Sequence, residues 1–333
     1  MSLPRVVLFC PGRGAYGRAE LGFIGDHRRP GPVADVLQVA DSLQESGETI
    51  TELDALERFR PGLHLDGVNA AELIYFGTMF HAEHLRERYD IVAVAGNSLG
   101  WYTALAASGA VDPGEGWKLV QSMAQLQGEV RGGQVLTTVV DEDWWPDPEA
   151  RAELDQALAA TNAKGEEYFI APSIYLGGHE VLGGTDKGVA HLLENLTKRK
   201  LGKREYPIQL AGNGPFHTPL CQATSEAAKD RLADLRLRRP QTHLIDGLGR
   251  VHSPWSSSPS DILDYTLSTQ VLRTFDFTAC VRTALREFNP DVLLCAGPGS
   301  SLRAPVGHVV LAEGFRGVRD QQGLFAAELV AVN

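Results

Sequence analysis

The sequence predicts an α/β protein: a mainly parallel sheet flanked by helices, with a smaller βαββαβ unit inserted into it. Three observations carry this. Short apolar runs, "RVVLFC", "DIVAVAG" and "PDVLLCAG", each end in a glycine turn, as buried strands do. Stretches with helical apolar spacing separate them, which is the alternation of a parallel sheet. Between residues 132 and 211 the order changes to strand, helix, strand, strand, helix, strand, the ferredoxin-like arrangement.

The elements follow in order. Residues 5–14 read as a strand entering a Gly/Pro loop, and 34–58 and 68–88 carry helical spacing. Residues 90–100 form a second buried strand, "WYTALAASGAV" continues as a helix, and 114–130 is another helix. In the inserted unit, 133–142 is a strand, 147–161 a helix, and 166–176 and 179–185 two strands around Gly177 and Gly178. Residues 186–200 read as a helix and 204–211 as the last strand. From about 212 the α/β pattern resumes, with a loop at 251–261 and a buried strand with its glycine turn at 290–302. The large subdomain is therefore expected at 1–131 and 212–333, with the small one at 132–211.

A net charge of −11 argues against a general nucleic-acid binder, which needs basic surface to neutralise phosphates. One basic run, "LTKRKLGKRE" at 196–205, stands out in this acidic chain. It reads either as a solvated helix end or as a docking spot for an acidic partner. The four cysteines show no CxxC spacing, so reduced thiols in a cytoplasmic protein are expected, with neither disulfides nor a metal site. The first residues lack the pattern of a signal peptide. No apolar run approaches the roughly 20 residues of a membrane span.

The functional signal is "VAVAGNSLGWYTAL", residues 92–105. Gly-x-Ser-x-Gly between a strand and a helix is the nucleophile-elbow pattern of α/β-hydrolase-like folds. A tight turn lifts the Ser98 hydroxyl above the sheet. The following helix aims its free N–H groups at developing negative charge, which makes the Leu99 N–H an oxyanion donor. The same pattern also arises in a phosphate-binding turn with an incidental serine. Serine needs a base. His217, in the Gly/Pro-rich loop "GNGPFHTPL", and His308, in "APVGHVV", are both placed for that role, and the residues alone do not choose between them.

Several segments together resemble the malonyl-CoA:acyl-carrier-protein transacylase family, which includes the acyltransferase domains of polyketide synthases. "LFCPGRGAYG" is similar to that family's "FPGQGSQ", "AGNSLGWYTAL" to "GHSLGEYSAL", and "GPFHTPL" to "AFHSPLM". "TQVLRTFDF" and "LLCAGPGSSL" resemble its "Q…NPVxW" and "ExGPGxxL". The segments occur in the family's order along nearly the whole chain. The resemblance implies an α/β-hydrolase-like large subdomain with a ferredoxin-like insert. It implies Ser98 as nucleophile and His217 as base, with a backbone carbonyl near Gln270 holding the histidine's other nitrogen. The N–H groups of Leu99 and Arg13 would form the oxyanion hole. The substrates would be coenzyme A thioesters and the phosphopantetheine of an acyl-carrier protein, with no permanently bound cofactor.

Four departures bear on the acyl group. Met123 stands where malonyl enzymes carry an arginine, and a thioether cannot clamp a carboxylate, so a neutral acyl group is expected. Arg13 replaces the family's early glutamine. Its side chain could supply a cation from another direction, meet a phosphate, or pair at the surface. Asn97 replaces the histidine before the nucleophile. Trp101 replaces a polar residue, either as a packing group or as an apolar wall near the cleft mouth. Phe216 matches the malonyl-type pattern and would crowd an α-branched acyl group. A thioester hydrolase that clears acyl groups from carrier proteins is the alternative on the same scaffold. Lys198, Arg199 and Lys203 in the basic run are the expected carrier-protein contacts.

Overall fold

The computed structural model describes residues 3–332. Its strands, in chain order, are β1 (Arg5–Cys10), β2 (Asp90–Gly96), β3 (Gly133–Thr138), β4 (Ile170–Leu176), β5 (His179–Gly184), β6 (Arg199–Leu201), β7 (Arg204–Tyr206), β8 (Ile208–Leu210), β9 (His243–Ile245), β10 (Val251–His252), β11 (Phe275–Asp276), β12 (Val292–Cys295) and β13 (Val330–Val332). The larger sheet runs β10-β9-β2-β1-β12-β13. All its pairings are parallel except β10 on β9. Val6 through Cys10 are wholly buried, as a central strand covered on both faces must be.

The second sheet runs β11-β4-β5-β3-β8. Its pairs β4–β5, β5–β3 and β3–β8 are antiparallel, which gives the inserted unit the expected ferredoxin-like order. β11, from the later part of the chain, joins its edge in parallel to β4. Helices Pro148–Asn162 and Asp186–Asn195 cover this sheet and enclose a small core of Val135, Leu154, Ile170, Leu182, Val189 and Leu192.

Besides β10 and the start of helix Pro259–Asp264 within the expected loop 251–261, and a 3-10 turn at Glu166–Tyr168 within the expected strand 166–176, three elements differ from the sequence expectation. The predicted helix 34–58 divides into Pro32–Ser42 and Ile50–Asp54, because Thr49 and Glu52 form a capping box that starts a new helix. The predicted helix 186–200 stops at Asn195. The basic run that follows is a hairpin, β6–β7, turning at Gly202 with a positive φ of 59°. The predicted strand 204–211 splits at Pro207, which has no N–H to donate to a ladder, into β7 and β8 on different sheets.

Candidate active site

Strand β2 ends at Gly96, Ser98 turns the chain, and helix Leu99–Ala107 begins at the next residue. Ser98 has φ 54° and ψ −112°, a conformation that costs a non-glycine residue about 1–3 kcal/mol. The bracketing glycines are steric necessities. A Cβ at Gly96 would lie 2.0 Å from the Gly100 carbonyl oxygen, and one at Gly100 would lie 2.1 Å from that of Cys10. The elbow therefore packs backbone to backbone against the end of β1, and Asn97 N–H donates to the Cys10 carbonyl at 3.0 Å. The helix that follows is buried on every side, as its apolar sequence requires.

The structure brings Ser98 and His217, 119 residues apart, to 2.7 Å between Oγ and Nε2. His217 Nδ1 lies 2.6 Å from the Gln270 carbonyl oxygen. That carbonyl can only accept, so Nδ1 carries the proton and Nε2 is left to accept the Ser98 O–H. His217 is 2 % exposed and adopts a positive φ of 58°. Burial lowers its pKa to about 4, against the opposing pull of the Gln270 carbonyl. The Gln270 side chain is tied into the same site. Its Oε1 accepts from the Tyr102 hydroxyl at 2.9 Å, and its Nε2 donates to the Ser98 carbonyl at 3.3 Å. Tyr102 escaped the sequence reading, although its spacing of four from Ser98 on a helix places it on the same face.

His308 lies elsewhere. It sits on helix Arg303–Glu313, accepts the Gly178 N–H at 2.9 Å on Nδ1, and meets Trp144 edge-on at 4.6 Å. It packs the small subdomain's Gly177–Gly178 turn against the large one.

Leu99 is the first helical residue, so its N–H has no partner within the helix. The Arg13 N–H, in the turn after β1, donates to no backbone carbonyl among the described residues. The Arg13 guanidinium lies over the Phe216 ring, 5.5 Å from its centroid. Among the described residues it has no hydrogen bond or ion pair. Burial lowers its pKa, while Asp66 and Tyr102 nearby favour the charged form. A Cβ on Gly67 would lie 3.2 Å from Arg13 Nη1 and 4.0 Å from the carbonyl oxygen of Ala124, the neighbour of Met123. Gly67 thus faces both the guanidinium and the helix Pro113–Gln127, which carries the wholly buried Met123.

Asn97 is buried next to this turn, and its Oδ1 has no hydrogen-bond partner among the described residues. Trp101 does not stand at a cleft mouth. It is 0 % exposed, donates from Nε1 to Thr266 Oγ1 at 3.0 Å, and meets Tyr265 edge-on, so it is a packing residue. Arg199 lies on β6 of the β6–β7 hairpin, with Lys198 just before it and Lys203 in the turn. Lys198 pairs with Glu205, and Arg199 with Asp147 and Glu153. Lys203 has no ion pair among the described residues. A cleft of about 540 Å³ is lined by Leu126, Val130, Arg131, Asp186, Leu220 and Ala227, and neither Ser98 nor His217 is part of its lining. No group of three or more His, Cys, Asp or Glu among the described residues is placed to hold a metal ion. Nor is any described helix long and apolar enough to cross a membrane.

Solved structures decide what this architecture is. The acyl-carrier-protein S-malonyltransferase of Burkholderia pseudomallei 1710b superposes with a TM-score of 0.74 at 23% identity, covering 98% of this chain and 95% of that one. The malonyl-CoA:ACP transacylase of Synechocystis sp. PCC 6803 gives 0.72 at 19% identity, covering 92% and 94%. The chain has the malonyl-CoA:acyl-carrier-protein transacylase fold. The fold that the sequence motifs implied is thereby borne out, including its ferredoxin-like insert. The malonyl CoA-acyl carrier protein transacylase of Bacillus subtilis (strain 168) is 30% identical over 140 residues, a match spanning 41% of this chain and 41% of that relative. No family model matches the sequence.

Proposed function

We propose that the protein is an acyltransferase. It takes an acyl group from acyl-CoA or an acyl-carrier protein onto Ser98 and passes it to the phosphopantetheine thiol of a carrier protein. The supporting observation is the alignment of Ser98 Oγ, the His217 imidazole and the Gln270 carbonyl at 2.7 and 2.6 Å on a strained elbow. The relatives' names, which are those of acyl-carrier-protein transacylases, support the same reading.

His217 Nε2 takes the hydroxyl proton as Ser98 Oγ attacks the thioester carbonyl. The developing oxyanion is held by the N–H groups of Leu99 and Arg13. The C–S bond breaks, and His217 returns the proton to the departing sulfur. In the second half the carrier thiol gives its proton to His217 and attacks the Ser98 ester. Ser98 then leaves with that proton. No resident cofactor is needed, and the protein's remaining task is to exclude water from acyl-Ser98.

Met123 favours an acyl group without a carboxylate. One observation favours a second reading: the Arg13 guanidinium is fixed on Phe216 and unpaired among the described residues, which suits a carboxylated acyl chain. The deciding experiment weighs the intact protein after incubation with neutral acyl-CoAs and malonyl-CoA. A mass increment absent in Ser98→Ala supports acyl-Ser98, and an equal increment in Ser98→Ala would refute it. Passage of the increment to holo-carrier protein supports the transferase, whereas its loss to water identifies the hydrolase. A malonyl increment that falls at least tenfold in Arg13→Gln, with neutral acyl loading unchanged, supports the second reading.

A further inference from the structure

His217 holds a backbone conformation that a histidine does not choose, with φ 58°, in a loop belonging to no helix or strand. Such strain persists only where the surroundings over-determine it. The constraint comes from the small subdomain. The Phe216 carbonyl, one residue before the base, accepts the Ser173 hydroxyl at 2.7 Å. Ser173 Oγ accepts Gln134 Nε2 at 2.7 Å, and Gln134 Oε1 accepts Asn213 Nδ2 at 2.9 Å. The chain of bonds therefore begins and ends in the segment that carries the base.

Its placement is specific. Ser173 sits where the β4–β5 register shifts between Pro172 and Ile174. A bulge of this kind re-aims a side chain, here toward the base loop. Gln134 lies on β3 opposite Gly183 of β5. A Cβ on Gly183 would lie within 3.1–3.4 Å of Thr218 Cγ2, Ser173 Cβ and the Phe216 oxygen, so the loop lies directly on this sheet. Ser173 is 0 % and Gln134 2 % exposed, and each uses its polar atoms within the chain. A buried network completed in this way fixes one geometry.

We infer that Asn213, Gln134 and Ser173 are positioning residues that hold His217 on Ser98 through the Phe216 carbonyl. Part of the base's placement thus comes from the inserted subdomain rather than from the sheet that carries the nucleophile. The inference rests on the Ser98–His217 reading above.

The test uses the full chain and single-turnover acylation of Ser98, with KM for the acyl thioester and the thermal midpoint measured alongside. Ser173→Ala is expected to lower the acylation rate about tenfold with KM changed less than twofold, since a small misplacement of a reacting group acts on rate. Asn213→Ala, at the half-buried end, tests the same chain without emptying a core position. It is expected to slow acylation about threefold. Because the residues act as one unit, the double variant should match Ser173→Ala within about twofold. A purely structural role would lower the midpoint and leave the rate per folded molecule unchanged, and that result overturns the inference. Rate losses that multiply in the double variant also overturn it. Ser98→Ala separates the two levels: loading that survives it removes the underlying reading. Abolished loading there, with full rate in Ser173→Ala, removes only this inference.

Discussion

Replacing Gly100 by alanine tests the elbow most directly. The added Cβ would sit 2.1 Å from the Cys10 carbonyl oxygen and 2.8 Å from both the Cys10 carbonyl carbon and the Pro11 oxygen. Ordinary contact begins at 3.4 Å, so the nearest pair must separate by 3.4 − 2.1 = 1.3 Å. The obstructing atoms are main chain, and no side-chain rotation relieves them. Either the elbow lifts or the turn after β1 retreats, and both movements part the Leu99 N–H from the Arg13 N–H. Overpacking of this kind costs about 1–3 kcal/mol of stability. A misplacement of about 1 Å at reacting groups costs on the order of 100-fold in rate.

The assay is thermal unfolding together with the rate of acyl loading followed by intact mass. Gly62→Ala serves as the control, because a Cβ there meets nothing within 4 Å. Gly100→Ala should lose both stability and loading, with Gly62→Ala close to wild type. A Gly100→Ala protein that loads at the wild-type rate with an unchanged midpoint would refute the backbone contact and the oxyanion geometry built on it.

Two further outcomes are expected. Burial lowers the pKa of His81, His179 and His217 to about 4 and of His308 to about 3. These groups are neutral when folded but bind protons below about 6.5 when unfolded, so their contribution is complete above that pH and is lost as pH falls towards 4. Each contributes a slope of up to about 1.4 kcal/mol per pH unit, offset in part by Glu72, Glu180 and Asp276, whose pKa values burial raises. Urea unfolding should show lower stability at pH 5 than at pH 7, and the reverse order would contradict the buried neutral histidines. On the β6–β7 hairpin, Lys198→Glu and Lys203→Glu should raise the apparent KM for a carrier protein at low salt and lose the effect at high salt. Arg199→Glu should also lower the thermal midpoint, because it breaks the pairs with Asp147 and Glu153, and unchanged KM in all three variants would remove the docking role.

The turn at Ser98 was legible in the sequence because its constraints are local. Gly96, Ser98 and Gly100 lie within five residues, and the strand and helix around them are strongly apolar. The contact of His217 with Ser98 was legible only through the family resemblance. His217 and His308 both follow glycine- or proline-rich stretches, and what separates them is a contact across 119 residues. The Gln270 contribution is a main-chain oxygen, which no residue type announces. The helix expected at 186–200 ends at Asn195, and its last expected residues pair instead in a hairpin that Gly202 reverses, while Pro207 breaks the strand after it. Trp101 belongs to a helix apolar on all faces, and that pattern already pointed to the core rather than to a cleft mouth.

The partner chosen for His217 suits thioester chemistry. An aspartate in place of the Gln270 carbonyl would stabilise the imidazolium and raise the histidine's pKa. The carbonyl fixes the tautomer and the ring orientation but adds no net charge, so burial dominates and the ring stays neutral near pH 7. The cost is weak support for the protonated intermediate. A leaving thiol, with a pKa near 8.5, needs little help from an acid, unlike the amine expelled by a protease. In the proposed two-step transfer the demand falls instead on the second half-reaction, where the poorer leaving group is Ser98 itself. In the proposed mechanism His217 there holds the carrier thiol's proton and delivers it to Oγ across 2.7 Å, the step at which we propose that the bonds on the base loop matter most.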